Sequence, residues 1–274
     1  MKITCLQENL NFGLQTTGHL VNKNINLPIL NNVLLEAKEG SLKLSSTNLE
    51  IGISSVVRCK VEKEGSFTVD ARLLADYVNL LAKDQVNMEL LADDFMKIAC
   101  LSSETKMKGI VADDFPVIPQ IEKKDPFTIK ISDFKKALSQ VIFSVASLKT
   151  RPEISGILMN FNKLSKNKLV MVGTDSYRLA EKFVELEKNE QEQEVIVPLK
   201  TLQELLRILG NLKDKADTPE NLEIYITENQ VLFTCANIEL ISRLLEGQYP
   251  DYKQIIPQET KTKIITSTSE LVKA

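Results

Sequence analysis

Residues that commonly form metal, redox and cofactor sites are scarce in this sequence. It contains one histidine, His19, no tryptophan, and four widely spaced cysteines without a Cys-X-X-Cys pair. A histidine-rich metal centre is therefore excluded, and neither a thiolate metal site nor a disulfide framework is indicated. We expect no metal and no cofactor. The cysteines are expected to be small, buried, apolar residues: Cys5, Cys59, Cys100 and Cys235.

Long uncharged apolar runs and a secretory leader are absent as well. With 43% hydrophobic and 26% charged residues, the 274-residue chain has the composition of a soluble protein with no membrane partner. Its start leads directly into an amphipathic segment, so we expect a cytoplasmic protein. The net charge of -3 argues against a surface coated with positive charge for gripping DNA tightly, but it allows a local basic surface.

The chain contains an internal repeat. Residues 27–35 align with residues 151–159, with Pro28 on Pro152 and the apolar positions in agreement. A β-rich run that leads into a helix recurs at 67–74 and at 195–202. Because a repeated unit determines the architecture more firmly than a local pattern does, two domains of one type are indicated.

Both copies end in an aromatic-proline turn, and part of a third copy follows. The turns lie at 114–119 and 248–257, and residues 264–274 resemble 127–137, a strand followed by a serine-capped helix. A helix that stops after one turn cannot bury its apolar stripe, so we expect two complete repeats and a truncated third. The predicted domain boundaries are 1–120, 121–257 and 258–274.

Strand signals outnumber helix signals in each copy. Asp70 is a good N-cap for a helix from Ala71 to about Ala82, and Ser132 for a helix from Asp133 to about Ala146. A leucine stripe predicts a helix over 199–209, and a weaker helix is predicted over 8–20. Most other segments alternate or are β-branched. We therefore predict an α+β fold with two helices on one face of antiparallel sheets in each domain.

Six blocks follow one another along the chain: residues 27–35, 47–50, 114–116, 151–156, 174–180 and 243–252. In this order they resemble the bacterial β sliding clamp family, the processivity subunit of DNA polymerase III, and the match covers the whole chain. The resemblance implies the DNA clamp fold and a non-catalytic, head-to-tail homodimeric ring of two three-domain subunits. In such a ring, two helices per domain line a hole that holds double-stranded DNA without sequence specificity.

Basic residues on the predicted helices have two interpretations. On the residues alone they indicate solvated helix faces, whereas the resemblance implies contacts to DNA phosphates. A sliding protein needs weak phosphate contacts without base readout, which Lys and Arg supply. The predicted DNA-binding residues are Lys23, Arg72, Lys83, Lys135, Lys136, Lys149, Arg151, Lys200 and Arg207.

The resemblance also implies a cleft for the short clamp-binding peptides of the polymerase III alpha subunit, the clamp loader and repair proteins. Its predicted second-domain wall comprises Ile154, Thr174, Ser176, Tyr177, Arg178, Leu179, Pro250 and Ile255. Family members often have Gly-His in place of Ser176-Tyr177 and a basic residue in place of Gln254. The alternative for 174–180 is a β-turn in which Asp175 forms an Asx turn and Arg178 an ion pair.

The resemblance further implies a dimer interface along an unpaired strand edge in the first domain. It runs through Thr105, Lys106, Met107, Lys108 and Ile110. A head-to-tail ring is a heterologous assembly, so this edge is expected to meet the third domain of the other subunit. Lys106 and Lys108 discourage stray strand pairing.

Two other functions stay open on the residues alone. One is a protein scaffold that never meets DNA. The other is an enzyme that uses Asp113, Asp114 and Asp175 with Arg178 for acid-base work or Mg²⁺ binding. Against the enzyme, the sequence has no phosphate-cradling glycine-rich loop and no nucleophile elbow.

Overall fold

The computed structural model describes residues 1–20, 27–146, 151–187, 189–212, 219–257 and 259–273. Within these ranges the α-helices are α1 (Gln7–Thr17), α2 (Ala71–Leu80), α3 (Ile131–Val141), α4 (Leu199–Asn211) and α5 (Thr268–Lys273). The strands before residue 120 are β1 (Lys2–Leu6), β2 (Asn32–Lys38), β3 (Ser41–Thr47), β4 (Ile51–Arg58), β5 (Lys60–Lys63), β6 (Gly65–Asp70), β7 (Gln85–Leu90), β8 (Phe95–Cys100) and β9 (Ser103–Ile110). The later strands are β10 (Phe127–Lys130), β11 (Gly156–Phe161), β12 (Lys168–Thr174), β13 (Leu179–Glu185), β14 (Gln193–Pro198), β15 (Asn221–Ile226), β16 (Gln230–Cys235) and β17 (Ile238–Arg243).

The strands form two antiparallel sheets, and the larger one runs through both repeats. Its thirteen strands follow the order β10-β15-β16-β17-β4-β3-β2-β6-β9-β8-β7-β1-β5. The repeats meet where β17 pairs with β4, in a register from Ile238 opposite Ser55 to Ser242 opposite Ile51. The second sheet has four strands in the order β13-β12-β11-β14.

Helix α2 forms where its cap and its apolar stripe predict it. The Asp70 carboxylate accepts a hydrogen bond from Leu73 N at 2.8 Å, and the buried stripe includes Leu74 and Val78. The predicted Ser132 cap of α3 is wrong, because that helix begins at Ile131 and Ser132 Oγ contacts the Asp133 carboxylate instead. Strand β10 leads directly into α3, so the helix starts before the serine.

The helices of both repeats pack on one side of the sheets and the inter-repeat connector packs on the other. On β17, Leu240 belongs to the helix-side core, and the next residue, Ile241, packs with Ile118 and Ile121 of the connector. Successive residues of a strand point to opposite faces, so the two sides are separate. Ile51 and Ile53 of the first repeat lie in the same buried core as α3 and α4 of the second.

The segment predicted to begin a third repeat forms only its helix. The Ser267 hydroxyl accepts a hydrogen bond from Glu270 N at 3.3 Å ahead of α5, as a capping serine does. The predicted strand at 264–266 is wrong for this structure: Ile264 and Ile265 are exposed there without strand pairing. Of the helices in the described ranges, none has the length and apolar character needed to span a membrane.

Candidate functional site

The basic residues of the helices lie on the sides turned away from the sheets. Arg72 on α2, Lys136 on α3 and Lys200 on α4 are exposed, and Lys135 on α3 is half-buried. The apolar stripe of each helix faces the core, so its polar stripe faces solvent. Lys83, which follows α2, forms an exposed ion pair with Glu8 at 3.0 Å.

Arg207 does not project freely from the polar face of α4. Its guanidinium donates to the Glu204 carboxylate at 2.9 Å and to the backbone carbonyls of Gln15 and Thr16 at 3.1 and 2.8 Å. These carbonyls lie in the last turn of α1, where backbone acceptors lack intrahelical partners. His19 Nδ1 lies 2.7 Å from the other Glu204 oxygen. The side chain therefore joins the helices of the two repeats, and the DNA-binding role of Arg207 stays a prediction.

Arg151, a further predicted DNA-binding residue, lies beside the predicted peptide wall. Its guanidinium donates to Ser176 Oγ at 3.2 Å. The sequence analysis assigns Arg151 and Ser176 to two different sites, whereas the fold brings their side chains into contact. Lys23 and Lys149 lie outside the described residues.

The turn between β12 and β13 is built from its own side chains. Thr174 Oγ1 donates to Arg178 O at 2.8 Å, and the Asp175 carboxylate accepts from the amides of Tyr177 and Arg178. Those amides hold the pKa of Asp175 below its usual value. The Arg178 side chain also pairs with Asp175 at 2.9 Å, so the turn has both features of the alternative interpretation. The Thr174 hydroxyl hydrogen is therefore used inside the turn.

Beside this turn an apolar cluster lies on the face of the small sheet that points away from the helices. Leu179 packs against buried Ile154, Tyr249 and Tyr252. Burial, followed by the hydrogen bond from Tyr252 to the Glu181 carboxylate, raises the pKa of Tyr252. Tyr177, Pro250 and Ile255 are exposed, and each lies within three residues of a cluster member in the chain. The structure therefore brings Ile154 and Leu179 of the predicted wall into one cluster, with Ile154 buried.

Comparison with known proteins shows the family. The N-terminal domain of the DNA polymerase III beta subunit matches residues 1–119, and the central domain of that subunit matches residues 128–251. The Beta sliding clamp of Bacillus subtilis is 31% identical over 283 residues, which cover 100% of this chain and 72% of that protein. The chain belongs to the bacterial β sliding clamp family.

Solved sliding clamps share this fold. The crystal structure of the DNA polymerase sliding clamp from Bacillus subtilis matches with a TM-score of 0.93 and 31% identity, covering 100% of this chain and 72% of that one. A putative DNA polymerase III beta subunit from Eubacterium rectale matches with a TM-score of 0.87 and 28% identity, covering 94% and 69%. The predicted α+β clamp fold and the predicted function as a DNA sliding clamp for DNA polymerase III are confirmed.

The predicted interface edge of this sliding clamp is only partly open. Strand β9 pairs with β8 along one side, and on its other side β6 pairs with it only at Gly109 and Ile110. Ile110 therefore does not belong to the unpaired edge, which corrects that prediction, and Met107 points into the core. Among the described strands, nothing pairs with the outer edge of β9 over residues 103–108.

Sequence reasoning missed two aromatic residues of the candidate peptide wall. The Arg178 guanidinium lies over the exposed Phe143 ring, 5.6 Å from its centroid. Tyr252, which begins the short helical turn Tyr252–Ile255, donates a hydrogen bond to Glu181 of β13. Phe143 follows α3 but does not continue its apolar stripe. A large apolar residue outside the stripe was the signal that the sequence offered.

Proposed function

We propose that this clamp encircles duplex DNA, holds replication and repair proteins on it through short peptides, works in the cytoplasm and catalyses no reaction. We further propose residues 1–120 and 121–257 as its two complete clamp domains. Ring formation rests on one observation: the strand that joins the two repeats has a counterpart in the first repeat, and the outer edge of that counterpart is unpaired. Strand β17 follows β16 and pairs with β4 of the other repeat, whereas β9 follows β8 and leaves residues 103–108 unpaired.

Strand β13 offers a matching edge. It follows β12 as β4 follows β3, and among the described strands it pairs only with β12. Edge strands present unpaired N–H and C=O groups that accept a further strand. We propose that β9 receives an edge strand of another subunit in the way that β4 receives β17, giving the dimer of the full-length protein.

Contact with DNA is assigned to the helix side of this ring. Lys136 and Lys200 present charge there without an ion-pair partner among the described residues, while the connectors occupy the opposite side. Such contacts neutralise phosphates without reading bases, so binding is independent of sequence. Arg72 and Lys135 lie on the same side of the sheets as these two lysines.

The peptide-binding assignment rests on the cluster beside the 174–178 turn. It combines apolar area at Leu179 and exposed Pro250 with a guanidinium at Arg178, which suits a peptide that carries leucine and hydrogen-bond acceptors. Tyr177 is 97% exposed beside it. An exposed aromatic side chain provides a large contact area at low entropic cost.

Salt-dependent binding to a short fluorescein-labelled duplex tests the DNA assignment. Replacing Lys135, Lys136 and Lys200 together by Ala is expected to reduce the slope of log K against log salt by about 0.9 for each phosphate that is no longer neutralised. The matched control replaces Lys38, Lys60 and Lys124, which lie on strands and the connector, and is expected to leave the slope unchanged.

Two outcomes would contradict the proposal. If the helix-face variant and the control have the same slope, the helices do not face DNA. If the binding reactions, incubated with Mg²⁺ and run on a denaturing gel, show nicked duplex that increases with protein, the clamp is not free of catalysis.

A further inference from the structure

The loop between β3 and β4 repeats the turn of the proposed peptide wall, hydrogen bond by hydrogen bond. Thr47 Oγ1 donates to Ile51 O at 2.9 Å and accepts from Leu49 N at 3.0 Å. The Asn48 side chain accepts from the amides of Glu50 and Ile51, as the Asp175 carboxylate accepts from the corresponding amides of the second repeat. The third residue of each turn has a left-handed backbone, with φ of 75° and 76°.

This first turn borders a groove whose two walls are both present. The groove has a volume of about 260 Å³ and lies between the turn, connector residues 117–119 and the end of β17. It lies on the connector side of the sheet, away from the helix faces proposed for DNA. Gly52 leaves space at the floor of the groove, because a Cβ there would lie 2.9 Å from Ile118 Cγ2 and 3.0 Å from Ile241 Cγ2.

The groove joins exposed apolar area to a single guanidinium. Leu49 is 50% exposed on the turn and Val117 is 92% exposed on the connector. Arg243 lines the groove beside the turn, since its backbone amide donates to Glu50 O at 3.1 Å. Its guanidinium has no hydrogen-bond or ion-pair partner among the described residues, and the Glu50 carboxylate has no ion-pair partner there. One cation beside one anion suits the polar backbone and side chains of a peptide better than it suits a polyanion.

We infer that this junction groove, between residues 47–52 and Arg243, binds a short extended peptide of a partner protein. An apolar side chain of the peptide packs against Leu49 and Val117, and a carboxylate of the peptide pairs with Arg243. The inference rests on the proposed peptide-binding function, whose turn it repeats, and it gives each chain a second peptide site.

Titration calorimetry with two matched peptides tests this site on the protein itself. The first probe is Gln-Leu-Asp-Leu-Leu, and the second has Asn in place of Asp. For the first probe the parent is expected to show two sites per chain. Leu49→Asn and Arg243→Gln are each expected to weaken one of these sites at least about tenfold, and Leu179→Ala is expected to weaken the other. Asn tolerates the left-handed backbone, so the Leu49 variant keeps the turn.

Leu101→Asn is the control, since Leu101 is also exposed with a positive φ but lies outside the groove. If only Leu179→Ala weakens binding, the junction groove is overturned and the proposed wall stands. If the parent binds neither probe, both are overturned. If Leu101→Asn weakens binding as Leu49→Asn does, or if the Asn probe binds the groove as tightly as the Asp probe, the contacts assigned to Leu49 and Arg243 are wrong.

Discussion

Arg207 shows at the scale of one residue how a surface position becomes part of a junction. Its side chain is 21% exposed and joins Glu204 on α4 to two carbonyls at the end of α1. A planar guanidinium can satisfy several acceptors in one plane, which a lysine ammonium cannot do. The residue therefore stabilises the angle between the repeats more than it adds free charge.

We expect Arg207→Ala to lower the free energy of unfolding by about 2 kcal/mol, because it leaves two helix-end carbonyls and a carboxylate without their donor. Arg207→Lys keeps the positive charge but loses the planar arrangement of N–H donors, and it is expected to recover less than half of that stability. Lys200→Ala, an exposed control on the same helix, is expected to stay within about 0.5 kcal/mol of the parent. Urea unfolding measures all three, and equal destabilisation of the Arg207→Ala and Lys200→Ala variants would contradict the assignment.

At the scale of elements, β9 leaves β6 at a glycine that has no room for a side chain. A Cβ on Gly109 would lie 1.9 Å from Thr68 O and 2.4 Å from the Phe67 ring. The close approach lets β9 pair with β6 for two residues and then continue as a free edge. The shape of the proposed subunit interface therefore depends on this one contact.

We expect Gly109→Ala to destabilise the protein by about 2 kcal/mol or more, since backbone has to move to make room. Gly210→Ala is the matched substitution, because Gly210 is exposed in α4 and a Cβ there would meet nothing within 4 Å. It is expected to stabilise the protein by about 0.5–1 kcal/mol through helix propensity. Thermal or urea unfolding of both variants decides, and changes of the same sign would show that the β6–β9 contact is not tight.

At the scale of the whole molecule, the two repeats share a sheet and a core. Strands β17 and β4 pair across the junction, and Leu20, Ile51 and Ile53 of the first repeat pack into the core of the second. Hydrophobic burial is reduced on both sides if either repeat opens at the junction. We therefore expect one cooperative unfolding transition.

Pulsed alkylation with iodoacetamide at pH 8 and increasing urea tests this cooperativity. Burial raises the pKa of Cys5, in the first repeat, to about 12 and that of Cys235, in the second, to about 11, so neither thiol reacts while it is buried. The two are expected to become labelled at the same urea concentration by mass spectrometry. Half-buried Cys59 is the internal control and is expected to react at lower urea. Separate midpoints for Cys5 and Cys235 would mean that the repeats unfold independently.

Local patterns predict the elements, the repeat and the side of each helix that is buried. Asp70 before an apolar stripe predicts α2, and the alternation at 95–101 predicts β8. These features follow from the chain's own periodicity, because a helix or a strand buries one face whichever partner covers it. The blocks at 151–156 and 174–180 carry the family resemblance for the same reason, since each lies within a short stretch of chain.

Which faces and edges meet is a property of the folded molecule. Arg207 finds its acceptors in the first repeat, and Arg243 faces a turn at residues 47–51. Periodicity does not specify pairing between segments so far apart, because many strands have equivalent edges and the choice depends on how the whole core packs. The amino-acid sequence alone therefore specifies a pair of clamp repeats, whereas packing in three dimensions places Arg207 between them and leaves β9 with a free edge.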